Sequence, residues 1–276
     1  MGLIDNTKLY KDIESGLTKL QCMEKNEIIL RVFQKDFRYR FCWSSNALEG
    51  NTLSLDETVA LIDYDETRGG HTYKEYWEAK NLFSAISRFL DLNVENPVTE
   101  EWIQEANHII MGKEIEGYRT GEVYVGTLAE AVYFPPKAED VPELMKKFCE
   151  GLMIEKSNIV NAVGEIARQH ILFERIHPFS DGNGRTGRII LNQQLVNQGL
   201  LPIILEKKSD YRQAFRRYDK NKDTSFMEHL ICKGELDAIG RLQSLYEREQ
   251  IQESTDSVYE ELISRDIVGN AKTTLD

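Results

Sequence analysis

Twelve consecutive residues, His177-Pro-Phe-Ser-Asp181-Gly-Asn-Gly-Arg185-Thr-Gly-Arg188, bring together an imidazole, a carboxylate, an asparagine, three glycines and two arginines. Glycine enters left-handed backbone conformations at little cost, and asparagine is the next most tolerant residue. Gly182-Asn183-Gly184 is therefore expected to form a loop whose consecutive N–H groups face one anion. The apolar run Ile189-Ile190-Leu191 can carry a helix, whose N-terminus adds the positive end of its dipole. Arg185 and Arg188, three apart, project from neighbouring places on its first turn. A guanidinium fork binds two phosphate oxygens at once. At a helix N-terminus it is unfavourable until an anion joins it. The set suits binding and reacting a polyphosphate. Asp181 is placed as a Mg2+ ligand, because Mg2+ takes one or two carboxylates together with phosphate oxygens and water. His177 titrates near neutral pH and is the candidate general base.

Other phosphate and metal motifs are absent. No GxxxxGK[ST] loop occurs. Asp181-x-Asn183 begins like a calcium loop, but Arg185 and Thr186 occupy the next ligand and glycine positions. Asp219-Lys-Asn221-Lys-Asp223-Thr lacks the sixth-place glycine and has Leu230 where the twelfth place needs glutamate, so it reads as a helix-capping loop.

Helices must position this stretch. Leu9 to Met23 and Glu27 to Leu48 have helical period, and the second carries a broad apolar face of Ile28, Ile29, Val32, Phe33, Phe37, Phe41 and Trp43. Gly50-Asn51 stops it. Further helices are expected after Ser54, from Tyr73 to Leu92, from Thr99 to Met111, from Val141 to Leu152, and from Ser157 to Phe173. The last of these shows one stripe of Ile159, Val163, Ile166, His170 and Phe173, with Val160, Ala167 and Ile171 beside it, and should be central and buried. The helix after the motif runs to Asn197, and Ser209 and Thr224 can cap two more. Beyond Lys233 a polar helix leads to a tail. Gly117 to Val125 and Ala131 to Phe134, β-branched and aromatic around Gly126-Thr-Leu-Ala-Glu130, form the one expected hairpin, ended by Pro135-Pro136.

The chain of 276 residues is 41% hydrophobic and 29% charged, enough apolar material for a sizeable core. Its net charge of −12 argues against broad nucleic-acid or acidic-membrane binding. Cys22, Cys42, Cys149 and Cys232 have no CxxC spacing, which fits reduced thiols in a cytosol. No signal peptide and no run of 18 apolar residues is visible, so a cytoplasmic protein without a membrane span is expected.

His177 to Arg188 resembles the Fic family signature HxFx[DE]GNGRxxR, with every specified position matched. His170-Ile-Leu-Phe173-Glu-Arg-Ile176, Gly117-Tyr-Arg119, the hairpin with Pro135-Pro136, and Leu201-Pro202 followed by Tyr211 extend the resemblance over residues 30 to 232. It implies a mainly α Fic-fold core with one β-hairpin flap. It also implies transfer of a nucleoside monophosphate, usually AMP from ATP, to a hydroxyl of a target protein. His177 would take the target's proton and Asp181 would hold Mg2+ against the α- and β-phosphates. Gly182, Asn183 and Gly184 would cradle phosphates, Arg185 would stabilise the leaving pyrophosphate, and Arg188 would bind the γ-phosphate. Tyr211 would line the adenine pocket. The flap, about 118–136, would hold the target by strand addition.

Ser45 and Glu49, four apart, share a helix face, and Glu49 sits in a last turn where a carboxylate is misplaced unless a cation meets it. Ser45 to Gly50 matches the family's inhibitory motif [ST]xxxE[GN], which implies that Glu49 pairs with Arg188 and blocks the γ-phosphate. The implied organisation is an N-terminal region 1–95 with an inhibitory helix at about 27–50, a catalytic core 96–232, and a C-terminal helix and tail 233–276. Three other readings stay open: a hydrolase that removes AMP with the same site, a nucleotide-dependent binding module without turnover, and a DNA-binding regulator, which the acidic charge disfavours. The target, which could include the chain itself, the choice of ATP over another nucleotide, and a homodimer that buries the brake are not decided by sequence.

Overall fold

The computed structural model describes residues 2–90, 95–112, 117–126, 133–152 and 155–272, with 250–272 as backbone alone. Its helices are α1 (Thr7–Gln21), α2 (Glu27–Glu49), α3 (Leu55–Tyr64), α4 (Tyr73–Phe89), α5 (Glu100–Met111), α6 (Val141–Gly151), α7 (Ile159–Ile176), α8 (Asn183–Asn197), α9 (Lys208–Asn221) and α10 (Ser225–Lys272).

Local chemistry sets most of the starts. The Asn26 side chain accepts the N–H groups of Ile28 and Ile29. Ser54 with Glu57 and Thr72 with Glu75 form reciprocal capping boxes. Thr99 caps α5 through Trp102 N–H, and Asn158 caps α7 through Asn161 N–H. α2 ends at Gly50, whose φ of 104° is the left-handed turn that glycine allows.

Two helices make the centre. α8 is buried along almost its whole length and packs on α7, α5, α2 and α4. α7 packs on α8, α6, α10 and α1. On one side Phe37, Phe41, Leu82, Ile86, Ile103, Met145, Phe173 and Ile189 share a core. On the other, Ile13, Val163, Ile166, Leu195, Ile203, Met227 and Ile231 share a second. The chain between α7 and α8 is thus held by packed helices on both sides.

Several expectations change. Ile28 and Val32 are exposed, so the buried face of α2 is the narrower stripe Ile29, Phe33, Phe37 and Phe41. Val160 is exposed at the start of α7 while the rest of its expected stripe is buried. Ser209 lies inside the first turn of α9 and makes no cap, and the helix after Thr224 continues through Lys233 as one element. Where the hairpin was expected, the described residues hold one isolated antiparallel bridge, with Val125 and Tyr133 exchanging both backbone bonds at 2.9 Å. Residues 127–132 lie outside the described residues, and no strand is found among the described ones.

Phe173 is fully buried at the α7–α8 contact, 5.6 Å from the ring of Phe148. Phe173→Ala should destabilise the protein by about 3–5 kcal/mol in denaturant unfolding. A loss under about 1 kcal/mol would show that this contact does not carry the core.

Candidate active site

The turn between α7 and α8 is built from one strained residue and a set of side-chain clamps. His177 ends α7 in the left-handed region, at φ 50° and ψ 61°, with its N–H on the Phe173 carbonyl. A non-glycine residue there is unusual and persists only where its surroundings impose it. Arg119 supplies much of that imposition. Its Nε donates to the His177 carbonyl at 2.9 Å, its Nη1 to the Gly121 carbonyl and its Nη2 to the Pro136 carbonyl. Its backbone N–H donates to the Pro178 carbonyl at 2.9 Å. One buried guanidinium therefore ties the loop to both arms of the 125–133 bridge. Tyr133 adds a second tie, its hydroxyl donating to the Arg175 carbonyl while its ring lies against the Arg175 guanidinium.

Asn183 closes the loop from the other side. Its side chain accepts Phe179 N–H and donates to the Phe179 carbonyl, both at 2.8 Å. Asn107, from α5, donates to the Asp181 carbonyl and reaches Thr186 Oγ1. The loop is shorter than its glycines imply. Only Gly182 is left-handed, at φ 79°, and α8 already begins at Asn183. Gly184 and Gly187 are needed for room. A Cβ at 184 would overlap Glu49 Oε1, and one at 187 would overlap Glu174 Oε1. The first helical bond of α8 is made by Thr186 N–H to the Gly182 carbonyl at 3.0 Å. The N–H groups of Asn183, Gly184 and Arg185 precede it, the usual place for an anion.

The charged groups converge on that N-terminus. Arg185 is 3% exposed, lies 3.4 Å from Glu78 and 3.8 Å from Asp181, and its Nε and Nη1 have no hydrogen-bond partner among the described residues. Buried donors without acceptors are costly, and a phosphate would satisfy them. Arg188 is 2% exposed. Its Nε donates to Ser45 Oγ at 2.8 Å, and its Nη2 donates to the Ser45 carbonyl at 2.9 Å and to Glu49 Oε1 at 2.7 Å. Partial burial pushes the Glu49 carboxyl up, and Arg188 opposite it more than offsets this, holding it below the ordinary carboxylate range.

Burial lowers the His177 imidazole to about 4, aided by Arg119 and opposed by the nearby Glu174 carbonyl. The ring is neutral at physiological pH, and its buried Nδ1 makes no well-formed hydrogen bond among the described residues. Asp181 is exposed, its Oδ1 accepting Gly182 N–H at 2.6 Å. A lone exposed carboxylate beside a phosphate cradle fits Mg2+, which draws most of its ligands from substrate and water. No group of three or more metal-ligating side chains occurs among the described residues. Tyr211 is placed differently from a simple pocket wall. Its hydroxyl meets His170 Nε2 at 2.7 Å, His170 Nδ1 meets the Gly187 carbonyl, and its ring lies 5.7 Å from the Arg188 guanidinium. A cavity of about 420 Å³ between α2, residues 202–211 and α10 shares Tyr211 with the site and is lined by none of His177, Arg185 and Arg188.

The structure thus brings His177, Asp181, Arg185, Arg188, Ser45 and Glu49 around one helix N-terminus. Sequence reading did not assign roles to Asn107, Arg119 or Glu174. Arg119 stood in the family lead-in, but what it bonds to is decided 58 residues away. Asn107 offered no signal, being one of several polar residues in an amphipathic helix.

Residues 97–195 match the Fic/DOC family model. The protein adenylyltransferase Fic of Culex quinquefasciatus is 30% identical over 212 residues, covering 74% of this chain and 41% of that protein. That of Nematostella vectensis is 27% identical over 216 residues, covering 75% and 49%. The chain therefore spans under half the length of these relatives. A Fic-domain-containing signaling protein from Bacteroides thetaiotaomicron superposes with a TM-score of 0.73 at 25% identity, covering 86% of this chain and 96% of that one. Fic-1 from C. elegans shares the fold at a TM-score of 0.72 and 23% identity, covering 87% and 72%. These likenesses place a Fic/DOC family domain at residues 97–195 of the chain. No helix among the described residues is long and apolar enough to cross a membrane.

Arg119→Ala leaves several carbonyls of the loop and the bridge without their donor, and should cost about 2–4 kcal/mol in denaturant unfolding. Arg119→Lys should recover less than half, because one ammonium cannot serve carbonyls spread around a planar fork. Equal stability of Lys and Arg at 119 would remove the clamp.

Proposed function

We propose that this chain is a protein adenylyltransferase that moves AMP from ATP to a hydroxyl side chain of a protein, and that Glu49 holds it off. Its naming relatives are adenylyltransferases of which it spans less than half, so the activity rests on the site as much as on the likeness. The observation that carries the reading is the buried Arg188, held by Ser45 and Glu49 beside a helix N-terminus where Arg185 Nε and Nη1 lack hydrogen-bond acceptors among the described residues.

Each residue has a task in this reading. Arg185 and the N–H groups at the start of α8 bind phosphate oxygens. Asp181 holds Mg2+, which would neutralise phosphate charge and orient the group being transferred. His177, neutral and fixed by the Arg119 clamp, takes the proton of the incoming hydroxyl. Arg188 takes the γ-phosphate once Glu49 withdraws. Asn183 serves chiefly to shape the loop, and Tyr211 serves chiefly to back Arg188. Exposed Tyr124 and Phe134 beside the Val125–Tyr133 bridge favour a flap that receives a target segment by strand addition. Residues 1–95 then carry the brake, 96–232 the catalytic core, and 233–276 a C-terminal helix and tail. The target could be another protein or a second copy of the chain in a homodimer.

With α-labelled ATP and Mg2+, Glu49→Gly should raise label transfer, to itself or to a partner, by about tenfold or more. An unchanged rate would sink the brake. His177→Ala on the Glu49→Gly background should abolish transfer while Mg-ATP still binds. Surviving transfer would show that His177 is not the base.

A further inference from the structure

A second carboxyl besides Glu49 lies within electrostatic reach of Arg188. Glu174, one turn before His177 on α7, is 9% exposed, and its Oε1 has no hydrogen-bond partner among the described residues. It presses on Gly187, where a Cβ would overlap it, and this places the carboxyl against the backbone that carries Arg188. Its chain neighbour Arg175 is engaged elsewhere, in a two-pronged pair with Asp219 at 2.7 and 2.8 Å. A buried carboxyl with no partner is expensive to keep ionised, and in a Fic reaction such as that proposed above it has no assigned task.

We propose that Glu174 is a second counter-ion for Arg188, a positioning residue that takes up that guanidinium's charge when Glu49 withdraws and yields it to the terminal phosphate of a bound nucleotide. This rests on the nucleotide-site reading above. Burial raises Glu174 to about 7; Arg188 pulls it down and Glu49 pushes it up. With Glu49 gone, the push disappears and Glu174 ionises more readily beside an uncompensated guanidinium. A γ-phosphate on Arg188 restores negative charge, so Glu174 regains a proton. The bound-state pKa therefore exceeds the free-state value. Tight binding is complete while the free protein is already protonated at Glu174, and is lost as pH rises through the bound-state value.

The other groups facing this position are silent across that range. His177, on α7, is lowered to about 4 and His170, also on α7, to about 3, chiefly by burial in both cases. Burial raises the Tyr211 phenol of α9 well above its usual value, and Arg188 of α8 stays charged. On α2, Glu49 is ionised, and the Glu49→Gly variant removes it.

The test is direct binding of Mg-ATP and Mg-ADP to Glu49→Gly protein between pH 6.5 and 8.5. Mg-ATP affinity should fall at least about fivefold across this range, and Mg-ADP affinity, lacking the phosphate that meets Arg188, should change far less. Adding Glu174→Gln should flatten the Mg-ATP dependence; Glu174→Asp should keep one with a shifted midpoint. Should Glu174→Gln not fold, calorimetry of Glu49→Gly in buffers of different ionisation enthalpy still decides: net proton uptake with Mg-ATP and little with Mg-ADP is expected. Equal pH dependence with and without Glu174, or no nucleotide-specific proton uptake, overturns the proposal and leaves the site reading intact. Absence of Mg-ATP binding at every pH overturns both. Proton-linked binding without any label transfer upholds Glu174 and removes only the transferase reading.

Discussion

Arg188 is a full positive charge held almost wholly away from water, a state that costs several kcal/mol unless acceptors surround it. Those acceptors come from α2, whose last turn offers Ser45 Oγ, the Ser45 carbonyl and Glu49. The end of α2 must therefore stay docked on α8. Ser44 helps, its hydroxyl donating to the Leu205 carbonyl at 2.6 Å, and Gly50 turns the chain away immediately afterwards. The contact that docks the end of α2 on α8 is the same one that compensates the buried charge.

Around this charge the loop is made stiff by polar side chains rather than by its own backbone. Arg119, Asn183 and Asn107 each bond to carbonyls or N–H groups between 177 and 186. Such bonds let His177 keep a backbone conformation it would not adopt in a free chain. They also link the loop to α5 through Asn107 and to both arms of the 125–133 bridge through Arg119. The glycines complete the design by leaving volume. Gly184 admits Glu49, and Gly187 admits Glu174.

Burial then separates groups of the same type. Glu49, partly exposed and bonded to Arg188, stays ionised, whereas Glu174, buried without a bond, is raised to about 7. His177 loses its affinity for a proton because the charged ring would be poorly solvated. Two carboxyls and one imidazole in a small volume acquire different protonation states from environment alone.

Much of this was legible in the residues. Period and capping signals located the helices, because both depend on contacts within a few residues. The spacing of His177, Asp181, Arg185 and Arg188 was enough to gather those side chains at one helix N-terminus, since a tight turn and one helical turn bring them together in any fold. The match of Ser45 to Gly50 pointed to Arg188 only through family likeness. That Glu49 meets it across 139 residues was decided by how α2 packs on α8. Tertiary structure also decided what no local pattern encodes. Ile28 and Val32 face solvent because the core meets a narrower stripe than the helix offers. Gly184 and Gly187 are required for space, not for dihedral freedom. Arg119 and Asn107 act as clamps because distant carbonyls arrive within reach. Sequence by itself determined which chemical groups are available and which neighbours share a turn. Only the fold decided which charges lose their water, and therefore which of them hold each other.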